Sequence, residues 1–148
     1  GRQRYTQFTN EDGGIIDDLM VTRSADAGED GAVMLVVNAA NKEADFALIE
    51  QRLPANLKLL RAPHRALVAL QGPKAAEVLA RHAPETAGLA FMSAMATKFG
   101  AFACHVSRSG YTGEDGFEIS IRADRVERLA RGFSGPDHEL EGGEVALA

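Results

Sequence analysis

Two short apolar runs do most to limit what this chain can fold into. Ala32 to Val37 reads AVMLVV and Ala66 to Leu70 reads ALVAL, each bounded by turn residues. Continuous apolar runs of that length are too short for core helices and are read as buried strands. The first follows the turn Asp26 to Gly31, DAGEDG, and pairs back as a hairpin partner on Ile15 to Val21, IIDDLMV, a strand that carries two acids. The second follows the turn-like Ala62-Pro63-His64, with Leu57 to Leu60 read as a strand on the other side of it.

Helix signals fall between these strands. Asn41 is the expected N-cap of a helix over Lys42 to Leu53, with Glu43 complementing the dipole and Pro54 stopping it. Pro73, at a first helical position, opens KAAEVLARHA. Phe99 to Val106 and Gly116 to Arg122 read as further strands around a loop from Gly110 to Gly116. Asp124 then caps a helix with Glu127 three residues on and Val126, Leu129, Ala130 and Phe133 on one face, ended by Gly132 to Gly135. The opening GRQRYTQFTN reads as a polar lead-in. This order of elements is neither all-helical nor regularly alternating, so the predicted class is α+β, with mixed or antiparallel sheets and packed helices. A seam at Ala62-Pro63-His64 divides it into two interlocked parts, 1–62 and 63–148.

Composition narrows the chemistry. At 148 residues and 45% hydrophobic content the chain can bury a real core. With 16 Lys and Arg against 21 Asp and Glu, and no basic run, nucleic acid is not an expected partner. No stretch approaches the roughly 18 apolar residues of a membrane span, so no membrane partner is expected either. The single cysteine, Cys104, excludes an internal disulfide and reads as a small buried residue. The chain begins with Gly1 rather than Met and ends on EVALA, a strand-like run with no cap or turn behind it, so both ends look cut.

Several acids could carry chemistry. In GFEISI, Phe117, Ile119 and Ile121 alternate with Glu118 and Ser120, so burying the apolar set turns Glu118 toward either solvent or a cavity. In a cavity, its two oxygens could accept two adjacent N–H groups of a heterocycle such as a pterin. Asp45 lies in the first turns of its helix, on an arc with Leu48 and Ile49; burial would raise its pKa and the helix N-terminus lower it. Asp17 and Asp18 are consecutive acids in a strand, and at least one faces an apolar side, where hydrogen bonding is favoured over metal. No metal site is expected. The four histidines show no ligand spacing, no serine sits in a nucleophile elbow, and GYTGEDG lacks the Lys of a phosphate loop.

Four segments in this order resemble the glycine-cleavage T-protein family: GGIIDD at Gly13 to Asp18, VVNAANKEAD at Val36 to Asp45, ALQGPKA at Ala69 to Ala75, and SGYTGEDGFEIS at Ser109 to Ser120. They run over nearly the whole chain, and the last is the most specific. The resemblance implies part of a three-domain, cloverleaf-like aminomethyltransferase fold that holds folate in a central channel. It implies transfer of the methylene of an aminomethyl group from the lipoyl arm of an H-protein to tetrahydrofolate, with release of ammonia and formation of 5,10-methylenetetrahydrofolate. It further implies Asp45, seven residues after Asn38, as the key catalytic acid, Glu118 as the pterin contact and Tyr111 as a cavity-lining residue, with Asp17, Asp18 and Asn38 as site support. Tetrahydrofolate is the co-substrate and lipoylated H-protein the partner. The family chain is considerably longer, so this one is expected to bind folate weakly and not to turn over by itself. The alternatives are a non-catalytic folate-binding module, whose Lys-Gly-Cys-Tyr type motif is replaced here by YTGEDGFE, and the folate domain of a flavin-dependent amine demethylase. The expected location is bacterial cytosol, with the mitochondrial matrix as the alternative.

Overall fold

A computed structural model of the chain describes residues 1–29, 31–134 and, as backbone, 144–147. The strands are β1 (Arg2–Thr9), β2 (Ile15–Arg23), β3 (Val33–Val37), β4 (Arg65–Gln71), β5 (Ser93–Phe99), β6 (Phe102–Arg108), β7 (Gly116–Arg122) and β8 (Glu144–Leu147). The helices are α1 (Lys42–Arg52), α2 (Ala75–His82) and α3 (Val126–Ser134). All strands join one curled sheet in the order β3-β2-β1-β5-β6-β7-β4-β8, and every pairing is antiparallel. The α+β class holds.

Strand β7 organises the larger part of the sheet because it is flanked on both sides. Its Phe117, Ile119 and Ile121 stand opposite Leu70, Val68 and Ala66 of β4, and Ile119 also faces Val106 of β6. All of these side chains except Ala66 belong to the core, with Leu79 of α2 and Leu129 and Phe133 of α3. Burying an Ile, Leu or Phe contributes about 1.5–3 kcal/mol, so this face sets which way the strand lies. Alternation then turns Glu118 and Ser120 to the opposite side of the sheet.

Several elements differ from expectation, each for an identifiable reason. The polar opening is a strand, β1, which carries no aliphatic residue but pairs along its length with β2, from Arg2↔Arg23 to Phe8↔Asp17. Its hairpin turn is shaped by the Asn10 side chain, whose Oδ1 accepts from the N–H of Asp12 at 3.1 Å and of Gly14 at 2.7 Å. Phe99 to Val106 is not one strand but the junction of β5 and β6. Gly100, at φ 59°, supplies the left-handed residue that lets Phe99 turn back onto Phe102.

Leu57 to Leu60 forms no strand. Arg61 instead holds this segment against α1, with its guanidinium 3.3 Å from Glu43, 3.1 Å from Glu50 and 4.7 Å from the ring centre of Phe46, and leaves Leu60 exposed. Asn41 occupies the N-cap position of α1 without a side-chain bond to the helix. At α3 the Asp124 carboxylate is taken by Arg122, at 3.0 and 3.1 Å, and a short 3₁₀ turn, Ala123–Arg125, leads into the helix. Gly132 lies inside α3, which runs to Ser134, and Gly135 falls outside the described residues. Helix α2 begins at Ala75, two residues after Pro73.

Gly116 pairs with Gln71 across β7 and β4, and a Cβ placed on it would lie 1.8 Å from the Oε1 of the buried Gln71. Gly116→Ala is therefore expected to cost about 1–3 kcal/mol of stability through overpacking. Urea denaturation checks this, and an unchanged midpoint would contradict it.

Candidate functional site

The two parts of the sheet meet across a cavity of about 500 Å³. One wall comes from β1, β2 and the end of β3, which supply Tyr5, Asp18, Met20 and Asn38; the other comes from the β6–β7 region, with Ser109, Tyr111 and Glu118. Phe91 and Met92 complete the lining. Met92 is also the joint between the walls. Its carbonyl accepts from Gln3 of β1 at 2.9 Å and its N–H donates to Arg108 of β6 at 2.8 Å. It does so at φ 56°, a left-handed conformation that is costly for a residue with a side chain.

Glu118 faces this cavity and not open solvent. It is 9% exposed, and its Oε2 accepts from the Ser109 hydroxyl at 2.8 Å, with Ser107 3.0 Å further on. Burial pushes its pKa up, and the hydroxyls of Ser109 and Ser107 offset part of the rise. On the facing wall Asp18 behaves oppositely. Tyr5 donates to its Oδ2 at 2.6 Å and Asn38 to its Oδ1 at 2.6 Å, and these bonds, Tyr5 first, hold its carboxyl below the usual range. The cavity thus sets a carboxyl whose pKa burial raises against one whose pKa hydrogen bonding lowers. No Lys or Arg is among the described residues lining it.

Asp17 and Asp45 form a layer behind that wall and are not among the lining residues. Asn38 connects the two layers, its amide also donating to Asp17 Oδ1 at 2.8 Å. Asp45 is 1% exposed. Desolvation first, and then the neighbouring Asp17 carboxyl, raise its pKa. The structure therefore brings Asp17, Asp18, Asn38 and Asp45 into one cluster, opposite Glu118. Tyr111 stands at the rim and is exposed.

The loop from Gly110 to Gly116 owes its shape to residues the sequence did not single out. Arg108 binds Asp115 through two contacts, 2.9 and 2.6 Å, and also donates to the carbonyl of Leu89 at 2.8 Å. Asp115 in turn accepts from the N–H of Gly116 at 3.0 Å. Tyr5, Phe91, Met92, Ser107 and Ser109 were likewise missed; only the placement of Tyr5 between Gln3 and Gln7 in alternation carried a signal.

Comparison with known proteins fits this arrangement. Residues 1–140 match the family model described as the GCVT N-terminal domain. The chain belongs to that family. An aminomethyltransferase of Anoxybacillus flavithermus is 41% identical over 141 residues, covering 88% of this chain and 36% of its own. The human mitochondrial aminomethyltransferase is 41% identical over 151 residues, covering 95% and 34%. The crystal structure of glycine cleavage system aminomethyltransferase T from Bartonella henselae superposes with a TM-score of 0.76 at 39% identity, covering 96% of this chain and 38% of that one. The chain thus spans about a third of the length of the curated relatives it matches.

The Arg108–Asp115 pair makes the loop sensitive to acid. Arg108 depresses the native pKa of Asp115 below its ordinary 3.8, so the stability this gives is present above 3.8 and is lost as pH falls through the native value. Asp115→Asn is accordingly expected to destabilise the chain at pH 7 and to match it more closely as the solution is acidified. Thermal unfolding across that pH range tests this, and a difference independent of pH would refute it.

Proposed function

We propose that the protein carrying this chain is an aminomethyltransferase of the glycine cleavage system. It transfers the methylene of an aminomethyl group, borne on the lipoyl arm of H-protein, to tetrahydrofolate. The observation that carries this reading is the pair of facing carboxyls, Glu118 fixed by Ser109 and Asp18 held by Tyr5 and Asn38, in a cavity without lysine or arginine among its described lining residues. Such a site suits a ligand rich in N–H donors that gains positive charge during reaction. The family relatives named as aminomethyltransferases support the same activity.

In this reading Glu118 accepts the N–H edge of the pterin, with Ser109 fixing its carboxyl, and Tyr111 closes over the ring at the rim. The two folate amines form C–N bonds to the methylene carbon as its bonds to the ammonia nitrogen and to the lipoyl sulfur break. The two amine protons leave with ammonia and the lipoyl thiol, and positive charge develops on the carbon between these steps. The negative charge of Asp18, fastened by Tyr5 and Asn38, lies on the wall where that positive charge is stabilised. Asp45 belongs to this acid group from the layer behind. The site needs no metal in this account. The chain alone is expected to bind folate more weakly than the complete protein.

Two finer points belong to the same proposal. The parts 1–62 and 63–148 are two interlocked units, a division supported by the single residue pair, Arg2↔Ser93, that joins β1 to β5. The location in this proposal is bacterial cytosol, with the mitochondrial matrix the alternative; the relatives include a bacterial protein and a mitochondrial one.

Replacing Glu118 by Gln should weaken tetrahydrofolate binding by the complete protein about 10- to 100-fold, the value of a charge-assisted contact of about 1.5–3 kcal/mol. Calorimetric titration reads this directly. Unchanged affinity in the variant would remove Glu118 from the site, and failure of the unaltered protein to release ammonia from aminomethylated H-protein would remove the activity.

A further inference from the structure

Two stretches of irregular backbone bring aromatic side chains to the mouth of the cavity. Residues 89–92 carry Phe91, 67% exposed, and the loop from Gly110 to Gly116 carries Tyr111, 76% exposed; both side chains line the cavity. Aromatic groups on such backbone are mobile unless something ties the backbone down. One residue ties both stretches here. The Arg108 guanidinium donates to the Leu89 carbonyl at 2.8 Å and forks onto the Asp115 carboxylate at 2.9 and 2.6 Å.

The hold extends in each direction. The Arg108 carbonyl accepts from the N–H of Met92 at 2.8 Å, so residues 89–92 are gripped at both ends. Asp115 accepts through its carboxylate from the N–H of Gly116 at 3.0 Å and through its carbonyl from the N–H of Gly72 at 2.9 Å. The guanidinium lies 5.3 Å from the ring centre of Phe117, a core residue of β7. That contact sets the fork against the same strand that orients Glu118.

We propose that Arg108 is a positioning residue for ligand binding: by clasping residues 89–92 and the loop 110–116 to one guanidinium, it presets the Phe91 and Tyr111 rim against which a ring-bearing ligand is received. This rests on the reading of tetrahydrofolate as that ligand. Arg108 is not among the lining residues and acts through the two stretches it holds. The left-handed Met92 agrees, because such a conformation persists only where its surroundings over-determine it, and Arg108 supplies two of the constraints. Lysine is no substitute, since a single ammonium cannot fork onto a carboxylate and also reach the Leu89 carbonyl.

The two partners of Arg108 can be separated in the complete protein. Removing the carboxylate in Asp115→Ala frees the Tyr111 loop and leaves Leu89 tied, whereas Arg108→Met frees both stretches. Each side chain that a ligand must order for itself costs about 2- to 10-fold in affinity. Asp115→Ala should therefore weaken tetrahydrofolate binding by about 2- to 10-fold and Arg108→Met by roughly 4- to 100-fold, with the loss falling on KM and not on kcat. Arg108→Lys, which can hold one stretch, should lose about 2- to 10-fold and serves where the methionine variant does not fold. Hydrogen exchange gives a readout independent of ligand and activity. The amides of Met92 and Gly116 should both exchange faster in Arg108→Met, that of Gly116 alone in Asp115→Ala, and those of Val68 and Ile119 in neither. Unaltered affinity in Arg108→Lys, a loss in Arg108→Met no greater than in Asp115→Ala, or unchanged exchange at Met92 would overturn the proposal. Failure of the unaltered protein to bind tetrahydrofolate would sink the functional reading, and the exchange pattern would then decide for or against Arg108.

Discussion

Everything at the site depends on the two faces of β7. A strand with neighbours on both edges cannot rotate about its own axis, because its ladder bonds to β4 and β6 hold it. Burial of Phe117, Ile119 and Ile121 against α2 and α3 then decides the orientation of Glu118 without any contribution from Glu118 itself. The desolvation cost of placing a carboxyl on the concave side is carried by the core on the other side. Ser107 and Ser109, which lie next to it in β6 and just beyond, return part of that cost as hydrogen bonds.

The facing wall uses another device. There the acids are consecutive in β2, and a side chain from the end of β3 binds both. Asn38 can do this because β3 pairs with β2 only as far as Val37↔Leu19, which leaves the next residue free to reach across the strand end. The order of commitment runs from backbone pairing, to the Asn38 amide, to the charge of Asp18. Burial of Asp45 behind that layer follows from α1 starting four residues after Asn38.

Much of this was legible before any coordinates. Apolar runs located β2, β3, β4 and β7, and the α3 face of Leu129 and Phe133 is buried as its spacing implied. What escaped was structure made by partners. Strand β1 has little intrinsic apolar signal and exists through its pairing, Leu57 to Leu60 has the apolar signal but finds α1 through Arg61 instead, and the break at Gly100 is a backbone conformation that composition does not mark. At the site, GYTGEDGFE pointed to Glu118 and left solvent or cavity open, a choice that only the opposite wall could make. The apolar helix arc of Asp45 agrees with its burial, whereas its place beside Asp17 and Asn38 is set by strand pairing that the arc does not show. Tyr5 and Asp18 meet across the β1–β2 hairpin, thirteen residues apart, a proximity set by strand register.

The narrow join between the walls has a further meaning. Because β1 and β5 share a single residue pair and Met92 supplies the left-handed turn beside it, no long ladder dictates how far Asp18 stands from Glu118. Each wall is built by its own hairpins, so the span between the carboxyls is governed at one joint. Relatives of such a fold could be fitted to longer or shorter ligands by altering a few residues there, with the core and both acid settings inherited intact.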